Sequence, residues 1–447
     1  MLGRHELSGG GGTEVDVGLD PHLPNKRAAG YSAASPMNQS TRFKLFLMMV
    51  LEFFIWGAWL PPIFGYMPAI GFTPNQQALV GSAFAIASLV GIFFSNQFAD
   101  RTFAAEKFLA FSHLVGGLAM LGLFFVKDFN SFFALMVVHS LFYVPTISVT
   151  NSLAFANLKD PQKDFGPVRM GGTIGWIAAQ WPLYFVLGNL KGEDATNATK
   201  WVFVVSAVAS FALAAFSLTL PHTPPRKAQA GDDSLAWLKA AKLLKHPFLL
   251  VLFVVTFIDA TIHNGYFVFI FNFLGNIGIE PKWITPITSI GQIAEISTMA
   301  ILGAALSRLG WKTTMIIGIL GHAARFAVFA FFPNSHAIII AVQVLHGICY
   351  AFFFATLYIF IDAAFPKDVR TSAQGLFNLL VLGAGDLAAK WIFIPLQAKY
   401  TVDKVVDYKS LFMIPTGLAL VAAVILAVAF YPPKNVGAAT GGSAPAH

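Results

Sequence analysis

The chain has 447 residues, of which 56% are hydrophobic and only 11% are charged, and its formal net charge is +7. Soluble domains usually carry about 25% charged residues, so this composition excludes an ordinary soluble protein and indicates a membrane protein. A single cysteine, Cys349, excludes an intramolecular disulfide, and the sequence has no HExxH, CxxC, Walker or GxSxG motif that would favour an enzyme.

The first 41 residues are polar and rich in Gly, Ser and Pro. They lack the apolar central region of a signal peptide and the apolar content of a folded domain. The sequence therefore predicts a disordered tail over 1–41, and a second short tail over 433–447.

Between the tails the sequence is dominated by apolar runs. A transmembrane helix needs roughly 20 such residues to cross about 30 Å of hydrocarbon. We predict twelve spans, at 43–66, 77–98, 106–126, 131–155, 168–190, 201–220, 247–275, 284–305, 313–332, 336–362, 371–397 and 410–431.

The distribution of Lys and Arg predicts the orientation of these spans. Nineteen of the 29 basic residues fall in segments on one side and seven in segments on the other. Cytoplasmic loops carry the excess of basic residues, so we expect both termini in the cytoplasm. This positive-inside pattern accounts for the net charge without a nucleic-acid partner.

The longest predicted cytoplasmic segment, 221–246, separates six spans from six. It begins with PHTPPRKAQAGDD and continues with SLAWLKAAKLLKHP, whose leucines and lysines lie on different helical faces. We expect an amphipathic helix on the anionic inner leaflet, or a plain tether. A charged turn follows both the second and the eighth span, in FADRTFAAEKF and ALSRLGWKT, which indicates two repeated halves, at 42–220 and 247–432.

Seven strongly ionisable side chains fall within the predicted spans. Each costs at least about 2.5 kcal/mol at the bilayer centre, so we expect these side chains to face the bundle interior. Four of the seven are acids and three are bases, so one acid is left without a basic partner. A buried carboxyl group without such a partner is suited to carrying a proton. The seven are Glu52, Arg169, Asp259, Glu295, Arg325, Asp386 and Lys390.

Several polar residues lie one helical turn apart, and such residues share a helix face. Arg169, Thr173 and Trp176 place a cation, a hydroxyl and a flat ring on one face, which is suited to a polar, partly aromatic solute. Gln292 and Glu295 offer an amide and a carboxylate, suited to sugar hydroxyls. The face containing Asp259 and His263 is a further candidate.

The alternative is that these polar groups only hold helices together, as they often do in membranes. We predict this role for the i, i+4 pair Asp386 and Lys390, which can neutralise each other, and for several histidines in the spans. Arg325 is expected to form an interhelical pair. The histidines are His113, His139 and His346.

Four segments in matching order resemble the nucleoside:proton symporter family of the major facilitator superfamily. They are LEFFIWGAWLPPIFGYM, PVRMGGTIGWIAAQW, SIGQIAEIS and VRTSAQGLF. The resemblance covers residues 40 to 432. It implies an all-α membrane protein of twelve transmembrane helices in two six-helix halves, the major facilitator fold.

The resemblance also implies site residues. The family's cavity-lining Arg, Thr and aromatic residue on span 5 correspond to Arg169, Thr173 and Trp176, and its Gln and acid on span 8 to Gln292 and Glu295. The substrate-binding set expected from the resemblance is completed by Asn264, Phe267 and Tyr350.

Two positions depart from the family pattern. Ala351 follows Tyr350 where the family commonly has Asp, and Glu52 stands where span 1 usually has Gln. One membrane carboxylate is thus missing and another is present. We expect Glu295, assisted by Glu52, to carry the coupled proton.

The expected function is import of a nucleoside across the cytoplasmic membrane by proton symport with alternating access. The expected partners are the small-molecule substrate and membrane lipid, with the proton as coupling ion and no cofactor or metal, and we expect a monomer. The alternatives are an uncoupled or differently coupled facilitator for a sugar, polyol or other small polar solute, and a membrane sensor that does not transport.

Overall fold

The computed structural model describes residues 39–225, 242–365 and 367–432. Most of the predicted tails and of the predicted amphipathic stretch lie outside these residues. Helix α1 begins at Gln39, so the first helix takes in three residues that were predicted to belong to the tail.

The described chain is almost entirely helical. Its first part contains α1 (Gln39–Ala69), α2 (Pro74–Thr102), α3 (Ala105–Leu123), α4 (Phe129–Asn157), α5 (Pro161–Ala179), α6 (Pro182–Leu187), α7 (Gly192–Thr199) and α8 (Trp201–Ser217). A 3-10 turn, Leu243–Lys245, precedes the second part.

The second part contains longer and more irregular helices. They are α9 (Pro247–Asn276), α10 (Pro281–Phe331), α11 (His336–Ala341), α12 (Val344–Cys349), a π-helical segment (Tyr350–Ala355), α13 (Thr356–Ala364), α14 (Lys367–Asn378), a second π-helical segment (Leu379–Ala384), α15 (Gly385–Lys399) and α16 (Tyr408–Ala429). Between α15 and α16, strands β1 (Thr401–Val402) and β2 (Val405–Val406) form an antiparallel hairpin, in which Thr401 pairs with Val406.

Several helix starts follow from local chemistry. The Asp128 carboxylate accepts the backbone N–H of Ser131 at 2.9 Å, which satisfies a free amide of the first turn of α4. The same hydrogen bond lowers the pKa of Asp128 below its usual value. Helices α9 and α10 each have a proline in the first turn, where the missing N–H is not needed.

Nine helices in the described parts of the chain are long and apolar enough to cross a membrane. Large apolar side chains are exposed on them, including Leu118, Val208, Ile301 and Val424. A soluble protein would not expose apolar surface on this scale, so these side chains face lipid. The chain is a multi-pass membrane protein.

Helix α10 contains two of the predicted spans. A straight helix of its 51 residues would be about 76 Å long, more than twice the thickness of the hydrocarbon core. The helix is broken at Gly310, where φ is 70°, a conformation that glycine adopts without steric cost. The predicted spans 284–305 and 313–332 lie on either side of this break.

The predicted fifth span differs from the structure at both ends. Helix α5 begins at Pro161, earlier than the predicted start at residue 168. It ends at Ala179, and the short helix α6 continues from Pro182. Pro182 has no backbone N–H, so it cannot continue the hydrogen-bond ladder of α5, and the predicted single span 168–190 is bent at this point.

Candidate functional site

Glycines on one face of α5 bring this helix against α1. A Cβ atom added at Gly171 would lie 2.6 Å from the backbone oxygen of Phe46, and one at Gly175 would lie 2.0 Å from that of Val50. Only glycine permits this approach. The close approach at Gly171 and Gly175 therefore fixes the position, relative to α1, of the polar residues on the same segment.

The Arg169 guanidinium lies over the Phe53 ring, with 4.1 Å between its central carbon and the ring centroid. A Cβ at Gly172 would come within 2.3 Å of the same guanidinium, so the glycine provides the space. Arg169 is partly exposed. A cation over an aromatic face is stabilised by the ring's negative surface, and this contact holds Arg169 in place.

An aromatic contact joins α5 to α9. The rings of Trp176 and Phe267 meet edge to face with centroids 5.9 Å apart. Trp56 of α1 lies edge to face against Trp176 at 5.2 Å and stacks on Phe84 at 4.6 Å. These flat surfaces are suited to stacking against a planar base.

Glu295 and Gln292 lie on α10 near the aromatic group. Glu295 is partly exposed, and its charge is near enough to that of Arg169 for the two to attract each other. The predicted cation and acid therefore lie in the same region, although they come from different parts of the chain. The side-chain oxygen of Gln292 is buried and accepts no hydrogen bond from the described residues, so its capacity to accept one is unused in this conformation. Gly347 allows α12 to approach the backbone of α10 at Glu295.

Both π-helical segments border this region. Tyr350 begins the first, and its phenol interacts electrostatically with Arg169 and Glu295. In the second, the Val381 carbonyl accepts a hydrogen bond from the Asn264 amide at 3.1 Å, and the same amide donates to Ala260 at 2.9 Å. Asn264 therefore uses its N–H groups between helices, and its side-chain oxygen is the atom left for a solute. Such π segments are frequent at functional sites.

Glu52 lies in a hydrogen-bonded site within the first part of the chain. Its carboxylate contacts His113 Nε2 at 2.9 Å and accepts the Thr146 hydroxyl at 2.7 Å, and its backbone oxygen accepts the Tyr143 hydroxyl at 2.6 Å. The side chain has no exposed surface. A solute therefore cannot contact Glu52 in this conformation.

The structure thus brings together Arg169, Trp176, Phe267, Glu295 and Tyr350, with Thr173, Asn264 and Gln292 on the same helices. The sequence pattern that defines the nucleoside H+ symporters matches residues 39–435. The chain belongs to the nucleoside H+ symporter family.

Relatives of this family member extend over most of its length. YegT of Escherichia coli (strain K12) is 34% identical over 354 residues, which are 78% of this chain and 82% of YegT. The xanthosine permease of the same organism is 28% identical over 412 residues, which are 88% of this chain and 96% of the permease.

Solved structures show the same fold. A crystal structure of a mutant of the nucleoside transporter NupG has a TM-score of 0.79 at 25% identity and covers 88% of this chain and 100% of NupG. A bacterial homologue of the human lysosomal transporter Spinster has a TM-score of 0.68 at 12% identity and covers 89% and 97% of the two chains. This symporter family member has the major facilitator fold and is a transporter of the cytoplasmic membrane, not an enzyme.

In this symporter family member, polar contacts join the two parts of the chain on the side of the membrane that is predicted to be extracellular. Thr285 donates to the Gln180 carbonyl at 2.8 Å, and Asn272 donates to the Phe64 carbonyl at 2.8 Å. The Trp391 indole donates to the Ser82 hydroxyl at 2.9 Å. All of these residues lie in the halves of their helices that the basic-residue distribution predicts to be extracellular.

The predicted pair of Asp386 and Lys390 is formed. The Lys390 ammonium donates to the Asp386 carboxylate, and both groups are buried. Together with Trp56, Asn264 and other side chains they line a small cleft. The pair keeps two charges neutralised beside the candidate site.

Other partners were not predicted from the sequence. Asp259 does not pair with His263, one turn along its own helix, but contacts His322 Nδ1 of α10 at 2.8 Å. Arg325 donates to His346 Nδ1 at 2.6 Å, so it has the interhelical partner that was expected for it. His322 and Arg325 were visible as polar residues in an apolar run, but their partners lie more than 20 residues away in the sequence.

Proposed function

We propose that this chain imports nucleosides by proton symport, in cycles that open the central site alternately to the two sides of the membrane. The proposal is supported by family membership and by one observation: Arg169 and Glu295 interact electrostatically from α5 and α10, beside the aromatic contact of Trp176 and Phe267. A nucleoside has a planar base and a polyhydroxyl sugar. The aromatic rings suit the first, and the charged and amide groups suit the second.

We assign the binding roles as follows. The base stacks on Trp176 or Phe267, which border the site from two helices. Arg169 and Thr173 bond the polar edge of the nucleoside from α5. Gln292 and Glu295 accept hydrogen bonds from sugar hydroxyls, since both side chains carry acceptor oxygens and no described residue donates to the Gln292 oxygen.

Glu295 is proposed to couple transport to the proton. Ionised Glu295 and Arg169 attract each other across the interface between the two parts of the chain, and protonation of Glu295 removes one of the two charges. The attraction between the two parts of the chain therefore depends on whether Glu295 carries a proton. Symport requires such a link between proton binding and the change that opens the occupied site to the other side of the membrane. Glu52 is proposed to assist through its contact with His113, because neutralising Glu52 changes the field at Arg169.

Uptake of labelled uridine into proteoliposomes under an inward proton gradient tests the proposal. The wild-type protein should accumulate uridine, and a protonophore should abolish accumulation. Glu295→Gln should lower accumulation below that of the wild type but keep counterflow, the exchange of labelled for unlabelled uridine, because exchange needs no net proton movement. Unchanged accumulation in Glu295→Gln would show that Glu295 is not the coupling site.

The matched control is Glu280→Gln. Glu280 precedes the first turn of the same helix and is exposed, with Lys282 at 3.3 Å as its ion-pair partner, so its neutralisation should leave accumulation unchanged. Competition by a panel of nucleosides, free bases and sugars then reports the substrate class. Wild-type protein that exchanges no nucleoside of the panel would refute the proposed function.

A further inference from the structure

A cluster of ionisable side chains is buried in the second part of the chain, and the mechanism above does not use it. Asp259 and His263 come from α9, His322 and Arg325 from α10, and His346 from α12. Asp259, His322 and Arg325 are fully buried, and the other two are at most 8% exposed. Ionisable groups at membrane depth are expensive to bury and mark proton or substrate pathways.

The hydrogen bonds in this cluster define where protons reside. A guanidinium can only donate, so His346 accepts from Arg325 through Nδ1 and, as a neutral ring, carries its proton on Nε2. The Arg325 guanidinium also lies over the Tyr266 ring at 4.1 Å. The Arg325–His346 pair therefore has a fixed donor and a fixed acceptor.

The Asp259–His322 pair has no such restriction. His322 Nδ1 donates to the Asp259 carboxylate at 2.8 Å, and this bond is compatible with a neutral or a protonated imidazole. His322 Nε2 and the second oxygen of Asp259 are both buried without a hydrogen-bond partner among the described residues. Nε2 is thus the atom at which a proton can bind or leave while the pair stays intact.

A purely structural role does not explain the cluster. Buried polar atoms in native proteins are normally hydrogen-bonded, and those that are not require an explanation. Here Asp259, His263, His322 and Arg325 all keep buried polar atoms that no described residue bonds. Among the described residues no group of three or more His, Cys, Asp or Glu side chains is arranged to hold a metal ion.

The cluster is connected to the candidate site through His263. The His263 ring centroid lies 5.6 Å from that of His322 and 6.0 Å from that of Tyr350. It also lies 5.7 Å from the centroid of Phe267, and Tyr350 interacts electrostatically with Glu295. Only the His263 ring therefore separates a change of charge at His322 from the residues proposed to bind the nucleoside.

The surroundings of His322 contain few other charges. The groups that face it are Asp259 and His263 from α9, His346 and Cys349 from α12, and Arg325 from its own helix. Helix α16 also packs on α10, and its titratable residues, Tyr408 and Lys409, lie in its first turn. Protonation of His322 is hence opposed by its burial and stabilised by Asp259.

We propose that the Asp259–His322 pair is a second proton-binding site, separate from Glu295, so that two protons move with each nucleoside. The inference rests on the proposed function. A proton from the outer side adds to the lone pair of His322 Nε2 and forms an N–H bond, and the imidazolium is held against the Asp259 carboxylate. On the inner side the N–H bond breaks, the electron pair stays on nitrogen, and the proton leaves.

The equilibrium accumulation ratio of uridine in proteoliposomes measures the number of coupled protons. With the membrane potential clamped at zero, each coupled proton contributes about tenfold accumulation per pH unit of gradient. At a gradient of one unit the wild-type protein should reach about 100-fold. His322→Asn should reach about tenfold, since the Asn amide keeps the bond to Asp259 but cannot bind the proton.

The ratio is an equilibrium quantity, so a variant that is merely slow still reaches the wild-type value. The matched control is His139→Asn, because His139 is equally buried but its Nδ1 bonds the Gly116 carbonyl at 3.1 Å instead of an acid. This variant should keep the wild-type ratio. Asp259→Asn should behave like His322→Asn.

The outcomes separate the two proposals. A wild-type ratio of one would refute proton symport itself. A wild-type ratio near ten, or a ratio near 100 in His322→Asn, would overturn the second site while leaving symport intact. Loss of uridine counterflow in both His322→Asn and Asp259→Asn would assign the pair a structural role and would also overturn the proposal.

Discussion

The glycine face of α5 makes a prediction about how Arg169 is positioned. In Gly175→Ala the added Cβ would lie 2.0 Å from the Val50 carbonyl oxygen and 2.8 Å from the carbonyl carbon. Ordinary van der Waals contact begins at 3.4 Å, and the obstructing atoms are backbone, so no side-chain rotation relieves the clash. Helices α5 and α1 must separate by more than about 1 Å.

The expected cost has two parts. Overpacking of this kind destabilises a protein by about 1–3 kcal/mol. Because Arg169 and Trp176 are carried on α5, the separation also moves them relative to Glu295, and a misplacement of about 1 Å can reduce the rate of a positioned reaction by about 100-fold. We expect initial uridine uptake to fall by about 10- to 100-fold.

Initial uptake and thermal unfolding of the purified protein should be measured together. The control is Gly417→Ala in α16, where an added Cβ meets no atom within 4 Å, and alanine is the better helix former. This control should keep wild-type uptake and unfold at the same or a higher temperature. Uptake within twofold of wild type in Gly175→Ala would show that the close approach to α1 does not position Arg169.

Three further predictions concern pairs near the site. Lys390→Met should destabilise the protein by about 3–5 kcal/mol in thermal unfolding, because it leaves Asp386 buried without its Lys390 partner. The double variant with Asp386→Asn should recover most of this loss, and an unfolding temperature of Lys390→Met equal to that of the wild type would contradict the prediction. Trp391→Phe removes a hydrogen bond between the two parts worth about 1 kcal/mol, so a cysteine introduced beside this contact should be labelled from outside about fivefold faster. An unchanged labelling rate would show that this hydrogen bond does not hold the two parts together. Phe53→Leu removes the cation–π contact of Arg169, which is worth about 0.5–2 kcal/mol. Uridine binding, measured by calorimetry, should therefore weaken by about 2- to 30-fold, and an affinity equal to that of the wild type would contradict this prediction.

The sequence alone predicted those features that depend on local order. Long apolar runs predict membrane helices because a helix satisfies its backbone hydrogen bonds within a single segment, which the lipid environment requires. Arg169 and Thr173 are four residues apart, and residues with this spacing lie on the same face of a helix. Asp386 and Lys390 have the same spacing, which is why their pairing could be predicted. Family motifs then predicted the substrate class, and family membership was confirmed.

Partners that lie far apart in the chain were decided only by the tertiary structure. Nothing in the sequence around Glu52 indicates that His113 and Thr146 satisfy its carboxylate, and Asp259 bonds His322, 63 residues away, rather than His263 on its own helix face. Helical periodicity gives the face of each residue, but the packing of one helix against another determines which faces meet. In this chain that packing depends on close approaches at glycines such as Gly175 and Gly347. It determines that histidines contact the buried acids Glu52 and Asp259, whereas Glu295 stays partly exposed.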